Sequence, residues 1–109
     1  MISSMSGLPT GITGLSVRGT VLAQDVDQAL RMVTPAGRLA VSVEPEFDGY
    51  MAELVRGVTS ACAGGTLAAC ALIVPEGMLA ETREQGEGPR MRIFASGARD
   101  AALAWLAGA

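Results

Sequence analysis

From Leu67 to Val74 every position is apolar, Leu-Ala-Ala-Cys-Ala-Leu-Ile-Val, and the run stops at Pro75-Glu76-Gly77. A strand wet on one side alternates apolar with polar residues. A run that is apolar throughout needs cover on both faces, as in a parallel sheet between helices. The pattern predicts a central buried strand over 67–74, because helix-period segments separated by turn residues lie on either side of it. Arg38 to Val43 predicts a second buried strand, ended by Glu44-Pro45. From Ile12 to Val21 apolar residues alternate with polar or small ones, which predicts a strand with one wetter face. It pairs antiparallel with a short edge strand over Ile2 to Met5, across the turn at Gly7-Leu8-Pro9. Arg90 to Ala95 predicts the last strand.

The helices follow from period 3.6. Val26, Ala29, Leu30 and Val33 come after Asp25-x-x-Gln28, read as a capping box starting at Asp25, with Arg31 near the negative end and Pro35 beyond. The clearest helix has the stripe Met51, Leu54, Val55, Val58 and Cys62, with Glu53, Arg56 and Ser60 facing away. Asp48 is its expected cap and Gly64-Gly65 its stop. Met78, Leu79 and Thr82 suggest two turns that fade into the charged, exposed run from Glu84 to Pro89, whose order the sequence leaves open. Ala98, Ala101, Ala102, Trp105 and Leu106 set a final stripe closed by Gly108. The order β-β-α-β-α-β-α-β-α implies one α/β domain over residues 1–109: a sandwich with a mixed, mainly parallel five-stranded sheet and right-handed crossovers.

Composition narrows the chemistry. Half of the 109 residues are hydrophobic but only 4% are aromatic, so the core is built from small aliphatic side chains. The net charge is −3, and all the bases are Arg without a basic run, which argues against nucleic acid as a partner. With no His and no Lys, the chain lacks the usual neutral-pH proton carrier, the commonest metal ligand and the Schiff-base amine. Cys62 and Cys70 fall in different elements without Cys-x-x-Cys spacing, as expected of two buried thiols in a cytoplasmic protein. The uncharged interval between Arg56 and Glu76 approaches the ~20 residues of a membrane span. Gly57, Thr59, Ser60, Gly64, Gly65 and Thr66 make it a helix end, turn and strand instead. Met1-Ile2-Ser3-Ser4-Met5 carries no visible targeting signal, and a cytoplasmic location is expected.

Ligands of open α/β sheets meet the loops at the carboxyl ends of the strands. Glu44, Glu46 and Asp48 surround Phe47 in one such loop, where carboxylates suit acid-base work or a divalent cation. Capping and solvation account for them better, so no catalytic residue, metal or cofactor is assigned. Glu76 is the first charge after the central strand, and Ser96-Gly97 offers amides after the last one; capping again suffices for both. Tyr50 and Trp105 are the largest candidate anchors. The candidate interaction surface is Phe47, Asp48, Gly49, Tyr50, Met51, Glu76, Met78 and Leu79.

The loop Phe47-Asp48-Gly49-Tyr50, the strand end Ile73-Val74-Pro75 and Arg92-Ile93-Phe94 followed by Ala102-Leu103-Ala104-Trp105-Leu106 resemble the STAS-like family. That family is typified by the sporulation anti-sigma-factor antagonist, and the resemblance is closer to its branch of small stand-alone bacterial domains of unknown function. It covers nearly the whole chain through loose motifs. It implies an αβ sandwich with no enzymatic role that engages protein partners and, in some relatives, an apolar or lipid-like ligand. In the phospho-regulated antagonists the Asp matching Asp48 is followed by a phosphorylated Ser; here Gly49 and Tyr50 follow, so no phosphoserine switch is expected.

Sequence and resemblance together point to a non-enzymatic binding or regulatory module whose partner is another protein or a second copy, as a homodimer. The alternative is a carrier or sensor of a small apolar or lipid-like molecule held between the helices and the sheet edge. A hydrolase using Glu44 and Asp48 stands third.

Overall fold

The computed structural model describes residues 1–32, 37–65, 67–87 and 90–108. In chain order its elements are β1 (Ile2–Ser4), β2 (Ile12–Val17), β3 (Thr20–Val21), α1 (Ala23–Arg31), β4 (Gly37–Val43) and β5 (Asp48–Gly49). Then come α2 (Met51–Ala63), β6 (Leu67–Val74), α3 (Leu79–Glu84), β7 (Met91–Ala95) and α4 (Arg99–Gly108). Short 3₁₀ turns at Glu76–Met78 and Ser96–Ala98 precede α3 and α4. The strands form a five-stranded sheet in the order β1-β2-β4-β6-β7, antiparallel at β1-β2 and parallel elsewhere, with β3 and β5 pairing separately.

The order of the parallel strands dictates where the helices lie. β2, β4, β6 and β7 are neighbours in both sequence and space, so crossovers of one hand all pass over the same face. Leu39, Val41 and Val43 of β4 and Cys70, Leu72 and Val74 of β6 accordingly join one core cluster with residues of α1 and α2, and Leu79 at the start of α3 packs against it. The opposite face is left to α4. There Ala40, Ala69 and Ala71 cluster with Ile12, Ile73, Ala102 and Leu106, and the small side chains let the helix lie close to the sheet. Phe94 and Trp105 pack against this second cluster, their rings 6.1 Å apart at 49°, with the Arg92 guanidinium 5.8 Å from the Trp105 ring centre.

The run from Leu67 to Val74 is a strand buried on both sides, exposed only at Ala68; β4, beside it, occupies the middle of the sheet. The α2 stripe is buried at all five expected positions, its Met, Leu and Val side chains contributing roughly 1.5–3 kcal/mol each. α2 ends where expected, with the Gly64 and Gly65 N–H groups bonded to the carbonyls of Ser60 and Cys62.

Other boundaries differ from expectation. The strand expected over Ile12 to Val21 breaks at Arg18-Gly19 into β2 and β3. α1 starts at Ala23, so Asp25 is in its first turn, where its carboxylate accepts the Leu22 N–H at 3.0 Å; it does not head the helix. Ala101, expected on the α4 stripe, is exposed. Val33, Pro35, Gly88 and Pro89 lie outside the described residues. No helix among the described residues is long and apolar enough to cross a membrane.

Candidate functional site

At the carboxyl ends of β2 and β4 the two chains leave the sheet but stay paired. Glu44 N–H donates to Val17 O (2.9 Å), Gly19 N–H to Glu46 O (3.2 Å) and Asp48 N–H to Gly19 O (2.8 Å). These bonds lead into the β3-β5 ladder, in which Thr20 faces Asp48 and Val21 faces Gly49. A Cβ at residue 49 would come within 2.9 Å of Val21 O, so the approach of the two backbones needs the glycine.

The next residues in register are Leu22 and Tyr50, which are the N-caps of α1 and α2. Asp48 is therefore not the cap of α2 as expected. Its backbone is held by Gly19, 29 positions away in a parallel ladder, and the helix starts after Tyr50 with no side chain capping it. Tyr50 is 77% exposed and Leu22 54%. Both border a depression of about 400 Å³ that is also lined by residues 20, 21, 23, 24, 48, 49 and 53.

On the other side of Thr20 lies a groove of about 560 Å³ between β1, the start of β2 and α1. Residues 1–4, Thr13, Leu15, Thr20, Asp25, Gln28, Ala29 and Met32 line it. Among the described residues four large hydrophobic ones are exposed, and they divide between the two hollows: Met1 and Met32 border the groove, Leu22 and Tyr50 the depression. Among the described residues, every charged side chain lining either hollow is an acid, namely Asp25, Asp48 and Glu53, while the Met1 ammonium at the groove is bonded to the Arg18 and Thr20 carbonyls. An apolar cavity of about 10 Å³ under α1, bounded by Ile2, Leu15, Val26 and Val58 among others, adjoins the groove.

The structure separates the residues expected to form one surface. Asp48, Gly49 and Tyr50 line the depression, Met51 is buried in the core, and Phe47, Met78 and Leu79 are partly buried against it. Glu76 sits apart, at the end of β6, where the loop after β6 leaves for α3 on one face and the loop after β7 leaves for α4 on the other. One of its carboxylate oxygens lies 3.0 Å from where a Cβ of residue 97 would be, which brings Glu76 and Ser96-Gly97 together. Trp105 is half-buried against the sheet. Glu44 accepts the Ser16 hydroxyl at 3.1 Å, and among the described residues no three acids or thiols gather into a set that could hold a metal ion.

The thiols of Cys62 and Cys70 are free and buried. Both are raised above the ordinary thiol range by burial; Arg90 offsets part of this for Cys62, whereas Cys62 adds to it for Cys70. They meet at the Arg90 carbonyl, which accepts the Cys70 N–H at 2.8 Å and lies 3.9 Å from the Cys62 sulfur. Buried, protonated thiols are poor nucleophiles.

Leu22, Thr20 and the groove were missed from the sequence. The signal present was Leu22 itself, a large apolar residue just ahead of a helix whose other apolar positions lie on a different side.

No family model matches this chain, and no curated protein is significantly similar to it. The fold itself defines the class: α/β, with four α-helices among the described residues about a mixed, mainly parallel five-stranded sheet.

Proposed function

We propose that this protein is a non-enzymatic binding or regulatory module that engages a protein partner at the end of the sheet where α1 and α2 begin. One observation carries the reading: the exposed large hydrophobic residues are gathered on two hollows flanking α1, and Leu22 and Tyr50 stand side by side there. Aromatic and large apolar side chains over a shallow depression, ringed by a few charges, are the usual make-up of a protein-binding patch. A role without catalysis agrees with a chain that has neither His nor Lys and whose buried thiols are held protonated. It also agrees with the resemblance to STAS-like domains. Since Gly49 and Tyr50 follow Asp48, binding works without a phosphoserine switch.

The carrier of an apolar molecule is the second reading, and the groove between α1 and the sheet edge favours it. A carried lipid needs an enclosed space that covers most of its surface, whereas the cavity beneath α1, about 10 Å³, has room for one water at most.

A photo-crosslinking amino acid at position 50, compared with one at the exposed Ala68 on the opposite end of the sheet, tests the proposal in cells. A discrete protein adduct specific to position 50, lost on Leu22→Ser, is the expected result; an adduct of twice the chain mass assigns a second copy as the partner. Identical adducts from the two positions, or a lipid-mass adduct on the freshly purified protein in a native mass spectrum, would overturn it.

A further inference from the structure

The sheet has two outer edges, and the chain treats them differently. Along β1, the Arg18 N–H donates to Met1 O and the Met5 N–H to Gly14 O, both at 2.9 Å. With the register Ile2↔Val17 and Ser3↔Ser16, these bonds place residues 1, 3 and 5 in the hydrogen-bonded pairs of the antiparallel ladder. The N–H and C=O groups of Ile2 and Ser4 therefore point away from β2, along the open edge, and they have no partner among the described residues. At the other edge the outward N–H of Ile93 is already taken, by a Glu87 carboxylate oxygen at 3.0 Å. An open strand edge invites another strand, and chains usually blunt it.

The groove beside α1 adjoins that edge. Residues 1, 2, 3 and 4 all line it although their side chains alternate between the faces of the sheet, so the hollow reaches the backbone of β1 itself. Thr13 and Leu15 line it too, and among the described residues Asp25 carries the one charged side chain of the lining; the Met1 ammonium, also there, is bonded to the Arg18 and Thr20 carbonyls.

We propose that the outer edge of β1 accepts an extended peptide segment of another protein as an added strand, with alternate apolar side chains seated in the groove and a Lys or Arg reaching Asp25. Strand addition draws affinity from main-chain hydrogen bonds and specificity from hollows for alternate side chains. The site supplies both, and Asp25, the one charged side chain in its lining among the described residues, favours a cationic side chain on the partner. This surface is separate from the Leu22–Tyr50 depression and goes beyond the function proposed above; loss of the position-50 crosslink with peptide binding retained, or the reverse, tells the two apart.

The test is selection of nine-residue peptides from a random display library on the immobilised protein, followed by amide hydrogen exchange of the complexes. The expected peptides alternate apolar residues and include Lys or Arg, and they protect the Ile2 and Ser4 amides. Ser4→Pro, which removes an outward N–H at an edge position where proline is tolerated, abolishes their binding with the melting temperature kept. Asp25→Asn weakens it roughly two- to fivefold. Should Ser4→Pro fail to fold, methylation of alternate peptide nitrogens serves the same end and must abolish binding. No enrichment over a blank surface, a preference for acidic peptides, or undiminished binding to Ser4→Pro overturns the proposal. So does a dimer of the free protein that Ser4→Pro dissociates, which would make a second copy the occupant.

Discussion

A carboxylate oxygen of Glu87 accepts the backbone N–H of Ile93 at 3.0 Å, occupying one of the outward donors of β7. The Cys70 N–H bonds to Arg90 O, so in the parallel ladder it is Arg92 and Phe94 that turn toward β6, while Ile93 faces outward. Glu87 thus takes a donor that this edge would otherwise present to other chains. Glu87→Ala should cost about 1 kcal/mol and increase self-association on concentration, read by light scattering. Glu87→Gln, which keeps an acceptor, should do less of both. Equal scattering from all three proteins would refute this role.

Thr82 is fully buried on α3, and its hydroxyl donates to the Met78 carbonyl at 2.6 Å. Thr82→Val keeps the shape and removes the donor. A loss of about 1 kcal/mol in urea unfolding is expected, with a smaller loss for Thr82→Ser; a neutral valine would mean that the bond contributes nothing net.

Gly14 lies under the segment that follows β1. A Cβ there would overlap the Leu8 Cδ1 and lie 2.9 Å from the Met5 Cβ. Gly14→Ala should destabilise by about 1–3 kcal/mol, and Leu8→Ala in the same chain should recover part of that. Additive losses in the double variant would show that Leu8 does not press on this site.

The thiol of Cys70 is held well above its ordinary value of 9.0 by burial and by the neighbouring Cys62. Below pH 9 the thiol is protonated in both the folded and the unfolded chain, and its contribution to stability is full. As the pH rises further the unfolded chain ionises first, so stability falls until the folded thiol also ionises, by at most ~1.4 kcal/mol per pH unit for one such group. Urea unfolding between pH 8 and 10.5 should show this decline, and Cys70→Ala should flatten it. A decline of unchanged slope in the variant would assign it to other groups.

Much of the fold was legible because it is written in local spacing. Met51, Leu54, Val55, Val58 and Cys62 recur at helical period and form one buried stripe, and the unbroken apolar run of β6 finds cover on both sides. The candidate site was legible only in part. Tyr50 was singled out and is exposed beside Asp48 and Gly49, yet Met51, taken with them, is core. Asp48 has the composition of a cap, but its amide is bonded to Gly19 O; a contact 29 residues away along the chain leaves no trace in the spacing around Asp48.

The sequence by itself determined where the main strands and helices run, which residues of α2 are buried, and that no side chain offers an imidazole or an amine, since each follows from side-chain identity within a few residues. Only the tertiary structure decided that α1, α2 and α3 share one face, that Leu22 stands beside Tyr50, and that Glu87 reaches the Ile93 amide on one sheet edge while the outward groups of Ile2 and Ser4 lie on the other. Those relations depend on which distant backbones lie next to one another and on which way their amides turn, and strand pairing between remote segments settles both.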